Sequence, residues 1–404
     1  MRTIIGLDIS KNKANAAVVQ DLQVVEEFQF ATDVLGLRDL KQLIVALGGN
    51  VEIVFEATGV YSRRVEYFFQ QNNLMYHILN PLTAKNRIRS GTRMRKNDKL
   101  DARRLALTEF TEHLTPYLMA YKQSPIYREL MDMNRFYDQI NEDKKRARNR
   151  TQRAMQLTFA SFTAGDNGFN FENKNAWQML TLFPHAGIVR EIGDLTEIKR
   201  IILDAGFKGI GQKTATKYAT RLFKLAALNA DAVAVNSDNT RQVQRFAQNV
   251  LDLMEDQDAQ VARMTELGKE LPEYSILQSI PAIAESTAIR LIGELGDVRR
   301  FDTRQQLNSF IGIDLTEIDS GDHLSARHVT KHGNPHARRI LYWTTVLMAS
   351  STAKPNHIRD HYEKRRSESS SKKKLIVKEM DRLLRTILYL VKTNQTYSYD
   401  LARR

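Results

Sequence analysis

Four carboxylates stand where they could share a cation. Asp8 closes the apolar run in Gly6-Leu7-Asp8-Ile9-Ser10-Lys11, and Glu56 closes another in Phe55-Glu56-Ala57-Thr58-Gly59-Val60-Tyr61. Asp98 and Asp101 lie together in Lys96-Asn97-Asp98-Lys99-Leu100-Asp101-Ala102. An acid directly after a buried strand emerges at the carboxyl edge of a sheet, where polar ligands are bound. Two acids three residues apart on a helix project from one face. Carboxylates gathered in one place repel unless a cation neutralises them, and an all-oxygen set suits Mg²⁺ or Mn²⁺. Two such ions can activate an attacking oxygen and stabilise the leaving oxygen of a phosphodiester. Each acid alone reads as a solvated charge or a helix cap; only the set points to chemistry.

The surroundings of the second pair are basic. Lys85, Arg87, Arg89, Arg93, Arg95, Lys96, Lys99, Arg103 and Arg104 embed Asp98 and Asp101, the only acids between residues 85 and 104. Bases that hold phosphates around acids that hold metal make sense for an enzyme acting on nucleic acid. Lys144, Lys145, Arg146, Arg148, Arg150 and Arg153 extend the positive surface, although charged helix faces are common. The whole chain of 404 residues carries 60 Lys+Arg against 47 Asp+Glu, a net charge of +13 that favours polyanionic partners. With no cysteine, thiol catalysis, disulfides, cysteine zinc sites and iron–sulfur clusters are excluded. The mean hydropathy of -0.43 and the absence of a run of roughly 20 apolar residues argue against a membrane span. The short apolar run after Met1-Arg2-Thr3 meets Asp8 too early for a secretory signal, so a cytoplasmic, nucleoid-associated protein is expected.

The elements that must position these groups can be read from periodicity. Residues 3–30 alternate as three strands with small polar turns, an antiparallel meander. A helix is expected over Leu35 to Leu47, a strand over Val51 to Phe55, a helix through Tyr67-Phe68-Phe69, and a strand from Met75 to Leu79. That pattern gives an α/β or α+β domain over residues 1–115. From Ser124 to Phe162 the chain has no glycine, and Leu130, Met133, Tyr137, Ile140 and Ala147 recur near helical spacing. This is a long surface helix or a coiled-coil arm, opening a helical region assigned to 116–270. Residues 271–404 read as a mostly helical third domain, with Glu363 to Lys374 as a charged linker before an amphipathic helix through Leu383, Leu384 and Ile387.

Two segments look like helix–hairpin–helix turns. Gly209-Ile210-Gly211-Gln212-Lys213-Thr214-Ala215 keeps both glycines, whereas Ile280-Pro281-Ala282-Ile283-Ala284 has alanine at both places. Further on, Ser320 sits in Asp319-Ser320-Gly321-Asp322, a loop region that also holds Thr316 and Ser325. Alone it is ordinary turn chemistry. No Gly-x-Ser-x-Gly elbow and no His/Asp partner order accompanies it, which leaves a metal ion or a basic neighbour such as Lys331 to activate it.

Taken in order, Leu7-Asp8-Ile9-Ser10-Lys11, Phe55-Glu56-Ala57-Thr58-Gly59 and Lys96 to Ala102 resemble the N-terminal motifs of the IS110-family transposases, the DEDD recombinases. The segment from Ile280 to Arg339, with Ser320-Gly321 and Thr330-Lys331-His332-Gly333-Asn334, is similar to the C-terminal transposase domain of that family. The resemblance implies an α/β plus all-α architecture: an RNase H-like (RuvC-like) first domain, a helical or coiled-coil middle and a mostly helical C-terminal domain. It implies that Asp8, Glu56, Asp98 and Asp101 are a metal-binding tetrad and that Ser320 is a nucleophile forming a covalent serine–DNA phosphodiester. It further implies DNA partners (element ends and target), a guide non-coding RNA, and a homodimer or homotetramer in which tetrad and serine come from different protomers. A RuvC-like junction nuclease that hydrolyses with water fits the tetrad equally well but leaves the serine domain without a purpose, and a site-specific invertase shares the motifs. A sugar kinase or ATPase of the actin type would need a second glycine-rich phosphate loop, and none is found. A non-enzymatic nucleic-acid binder would make the four acids incidental.

Overall fold

Three strands wound up and down open the chain. β1 (Thr3–Ile9), β2 (Lys13–Gln20) and β3 (Gln23–Ala31) pair antiparallel, as the alternation predicts. The computed structural model describes residues 2–57, 59–79, 98–112, 124–314, 319–320, 323–324, 329–367 and 371–403; side chains of 98–99, 111–112, 319–320 and 323–324 lie outside that description. The chain forms two compact units, Met1–Lys122 and Gln123–Arg404.

In the first unit α1 (Val34–Leu47) starts where the Asp33 side chain accepts from the Gly36 amide at 2.9 Å, satisfying one of the orphan donors of its first turn. β4 (Val51–Glu56) then lies parallel to β1, α2 (Val60–Gln71) crosses over, and β5 (Tyr76–Leu79) lies parallel to β4. The sheet order is β3-β2-β1-β4-β5, with α3 (Asp98–Glu112) following. This is the RNase H-like arrangement. One face buries Ile5, Leu7, Ile53 and Phe55 against Leu37, Leu40, Val65 and Phe69 of α1 and α2. The other buries Ile4, Val19 and Val54 against Leu105 and Ala106 of α3. A Cβ at Gly6 would fall 2.1 Å from the Ala102 carbonyl oxygen, so glycine there is what lets α3 lie on β1.

The second unit is helical. α4 (Pro125–Thr158) runs unbroken for 34 residues, as the missing glycines predict. A 3₁₀ turn (Ala160–Thr163), α5 (Lys174–Leu182), α6 (Ala186–Ile192), α7 (Leu195–Asp204) and α8 (Gln212–Ala227) follow, and α9 (Asp238–Gly268) returns along α4. Gln260 Nε2 donates to the Met133 carbonyl at 2.9 Å while Ala147 and Met155 share a core with Val243 and Ala247, so α4 and α9 pair antiparallel within the chain. That core gathers Phe159, Phe162, Trp177 and Leu222. A second core, at the other end of α4, unites Leu130 with α10 (Pro272–Gln278), α11 (Glu285–Leu295), α12 (Arg304–Ile311), α13 (Pro335–Met348), α14 (His357–Arg365) and α15 (Lys372–Thr393). A short ladder of β6 (Asp319–Ser320) and β7 (His323–Leu324) lies between α12 and α13, and α16 (Tyr399–Arg403) ends the chain. The connection expected from Glu363 to Lys374 is shorter than that: Glu363 to Arg365 end α14 and Lys372 onward begins α15, capped by Ser371, whose side chain accepts from the Lys374 amide. Charge points to a linker, but lysines tolerate a helix start whenever Leu375 and Ile376 can be buried, as they are. Among the described residues no helix is long and apolar enough to cross a membrane.

Candidate functional site

Strand alternation carries the acids to one face. Ile4 and Gly6 of β1 meet α3, so Asp8, two residues on, stands on that same face, and Glu56 follows Val54 in the same way. Register sets Gly6 beside Val54 and Leu7 beside Phe55, which brings Asp8 and Glu56 side by side at the carboxyl edge. Asp101 stands in the first turn of α3, close enough for its charge to act on Glu56. The Glu56 carboxyl is pushed above the usual carboxylate range, first by burial and then by the negative charge of Asp101. Among the described residues no cation pairs with Glu56. Asp101 itself has Arg104 Nη1 at 3.5 Å, a loose contact one helical turn away. Asp98 is the first residue of α3, its side chain outside the described set. Arg103 is exposed and Arg104 partly so, both on α3. Lys85, Arg87, Arg89, Arg93, Arg95 and Lys96 lie outside the described residues.

In the second unit backbone hydrogen bonds join the chain before Ser320, up to Asp314, to the chain after it, from Thr330. The Thr330 amide donates to the Asp314 carbonyl at 2.9 Å, Lys331 to Gly312 at 3.1 Å and Asn334 to Phe310 at 2.8 Å. A Cβ on Gly333 would sit 2.4 Å from the Gly312 nitrogen, so Gly333 closes this clasp. Asn334 caps α13 by accepting from the His336 and Ala337 amides at 3.0 and 3.1 Å, and its own amide donates to Glu294 Oε2 at 2.8 Å. The Gly333-Asn334 part of the motif is therefore explained by folding. Lys331 is exposed at the clasp. Ser320 pairs with His323 in the β6–β7 ladder, and its side chain lies outside the described set.

The sequence reading missed one pair. His336 Nδ1 lies 2.6 Å from Asp138 Oδ2, although the two are 198 positions apart. A signal was available: Leu130, Asn134 and Asp138 form one i, i+4, i+8 stripe on α4, all buried, and two of the three are polar. The two hairpins share one backbone. Gly209 and Ala282 both take positive φ (85° and 64°), Ile210 and Ile283 are buried behind them, and Gly211 and Ala284 cap α8 and α11.

Residues 5–160 match the family model for DEDD transposases of the IS110 type, and residues 274–363 match that of the transposase IS116/IS110/IS902 family. The chain belongs to the IS110 transposase family. A curated relative of that family, the uncharacterized 43.6 kDa protein of insertion element IS110 from Streptomyces coelicolor, is 26% identical over 147 residues. That match spans 36% of this chain and 36% of the length of the relative. The DEDD family model takes in Asp8, Glu56, Asp98 and Asp101; the C-terminal family model takes in Ser320, Lys331 and His336.

Proposed function

We propose that this protein is a divalent-metal-dependent DNA transposase that cuts and rejoins the ends of its own insertion element through a covalent serine–DNA phosphodiester. The reading is carried by the acidic edge of the first unit, where Asp8 and Glu56 adjoin and Asp101 raises the cost of charging Glu56. A carboxylate set with only oxygen donors fits Mg²⁺ or Mn²⁺. Asp8, Glu56, Asp98 and Asp101 would hold the cation, which when bound polarises the phosphoryl oxygens and eases departure of the leaving oxygen. Ser320 attacks the backbone phosphate, and its energy is kept in the serine ester until a second DNA end takes the phosphate over. Lys85, Arg87, Arg89, Arg93, Arg95, Lys96, Arg103, Arg104 and Lys331 hold the DNA backbone, a sequence-independent attraction consistent with the net charge of +13. Sequence choice is left to base pairing by a structured guide RNA of the element, and tetrad and serine act from different protomers of at least a dimer.

The test uses protein expressed with its flanking element DNA, so that the guide RNA is present. It is mixed with end-junction DNA and Mg²⁺, denatured, and resolved for a covalent protein–DNA band. Loss of the band in both Ser320→Ala and Asp8→Ala, with each variant folded, is the expected result. Free cut ends without a band would replace this reading by hydrolysis of the junction-nuclease kind.

A further inference from the structure

A carboxylate that water does not reach needs a cation to answer it, and Glu379 has two candidates. It is fully buried on α15, with His361 Nδ1 of α14 2.5 Å from its Oε1 and Arg382 Nε 3.4 Å from its Oε2. The imidazole is engaged closely and the guanidinium loosely: among the described residues neither Arg382 Nε nor Glu379 Oε2 makes a hydrogen bond. An ionised carboxylate only accepts, so Nδ1 of His361 donates and Nε2, on the far side of the ring, is left for another partner. His361 and Arg382 both line a cavity of about 630 Å³ between α14, α15 and α16, and Lys364 and Arg403 line it with them. The acids of this lining are occupied. Asp360 accepts from the Tyr399 hydroxyl at 2.7 Å, and Glu363 from Arg359 Nε at 2.9 Å. Lys364 and Arg403 are exposed, and among the described residues no carboxylate pairs with either. The walls are fixed in place. The His357 ring lies 2.8 Å from the Tyr397 hydroxyl and 3.1 Å from that of Thr386, which with the Tyr399 contact ties the chain after α15 back onto α14.

We propose that this cavity binds one phosphate monoester, with Lys364, Arg382 and Arg403 as its cationic ligands and His361, aimed by Glu379, as a further N–H donor. The charges around the cavity fit a dianion. Arg359, Lys364, Arg382 and Arg403 stand against Asp360, Glu363 and Glu379, and with the His361 ring charged the surround is two positive charges in excess. A metal cation would meet that excess as repulsion. The guanidinium of Arg382 offers its remaining N–H groups in a planar fork, the geometry that phosphate oxygens accept two at a time. Glu379 is a positioning residue, since its carboxylate faces the ring and not the ligand. Two sources share this chemistry: the terminal phosphate of a nucleic-acid strand and a free mononucleotide or phosphate. The site lies within the helical unit and stands whether or not Ser320 is the nucleophile.

The experiment is equilibrium dialysis of radiolabelled inorganic phosphate against the full chain at fixed ionic strength in chloride, which should show one saturable site per chain. His361→Asn keeps an N–H for Glu379 but removes Nε2, and Lys364→Gln removes an exposed ammonium. Each should weaken binding about tenfold or more with Tm unchanged. Arg365→Gln removes an exposed cation of the same helix that does not line the cavity, and should leave binding as it was. Should His361→Asn lower Tm as well as affinity, Lys364→Gln decides alone, because its side chain has no part in the core. No saturable binding, or an equal loss in Arg365→Gln, overturns the proposal. Competition then separates the sources. Displacement of the label by a short oligonucleotide with a 5′-phosphate, and not by its 5′-hydroxyl twin, names a strand end; displacement by a mononucleotide and by neither oligonucleotide names a small phosphate. Displacement by the hydroxyl twin as strong as by the phosphorylated strand would show an internal diester in the site and overturn the monoester.

Discussion

The face of the sheet covered by α3 ends in a carboxylate group at each edge, and the two are balanced in different ways. At the carboxyl edge stand Asp8, Glu56 and Asp101; at the opposite edge stand Glu52 and Glu109, with Arg2 between them. The same alternation makes both, since Arg2 and Asp8 flank Ile4 and Gly6 on β1 while Glu52 and Glu56 flank Val54 on β4. At the Arg2 edge a guanidinium engages Glu52 through Nε at 3.0 Å and Nη2 at 2.8 Å, and Nη2 is 3.7 Å from the fully buried Glu109. The hydrogen bonds to Glu52 raise the pKa of Arg2 further, so each partner favours the other's charge. Glu56 is pushed the other way, toward its neutral form. The donor atoms of Glu52, His77 and Glu109 lie within 4.8 Å of one another, a spacing a metal would accept. Arg2 already uses both oxygens of Glu52, so we read that edge as structural. At the Arg2 edge the balance comes from within the fold; at the carboxyl edge Glu56 is kept near Asp101 against its charge, a cost that a bound cation would relieve.

The largest effect is expected from breaking the paired edge. Arg2→Met removes the guanidinium from two carboxylates, one of them fully buried, and should cost about 3–5 kcal/mol of stability in urea unfolding. DNA cleavage per folded molecule should be retained. Unchanged stability with lost cleavage would reverse the roles of the two edges.

A divalent cation sharpens the contrast from the other side. Mg²⁺ or Mn²⁺ at one hundred times its Kd should stabilise the wild-type protein by about 2.7 kcal/mol over protein in EDTA, read as a rise in Tm. Glu56→Gln should lose most of that rise, and Glu52→Gln should keep it. Equal rises in the two variants would put the cation elsewhere.

How much of this could be read beforehand follows from what each signal depends on. The strands, α1, α2 and the long α4 follow local periodicity, and Asp8 and Glu56 could be picked out because a strand end is a local feature. Arg2 and Glu109 could not: they meet only because Gly6 lets α3 pack down on β1, and nothing near Arg2 in sequence announces a helix residue more than a hundred positions away. Asp138 and His336 are the same case on a longer span, on α4 and α13, both packed against α11; where α11 crosses α4 a Cβ at Gly293 would fall 2.7 Å from the Leu130 carbonyl oxygen. The charged run near Glu363 misled in the opposite sense, because charge density describes the exposed side of a helix and says nothing of the apolar side that fixes it. Periodicity tells which elements form; which charges meet is decided by close approaches that small residues permit.

The smallest effect is the most direct reading of the acidic edge. Glu56 holds its proton to higher pH in the folded protein than in the unfolded chain. Between the ordinary and the raised value the folded state binds more protons, so the stability of metal-free protein should fall as pH rises through that window. Below the window both states are protonated and the penalty vanishes; above it the penalty is complete. Since the side chain is partly solvated, the full change should stay below about 1 kcal/mol. Thermal melts in EDTA from about pH 4 to 7 should show this slope in the wild type and its loss in Glu56→Gln. Asp101→Asn should reduce the slope without abolishing it, because burial is the larger cause and the charge of Asp101 the smaller. A slope that survives in Glu56→Gln would place the unbalanced charge on another acid of the edge. A slope abolished by Asp101→Asn alone would make repulsion, not burial, the force that the cation relieves.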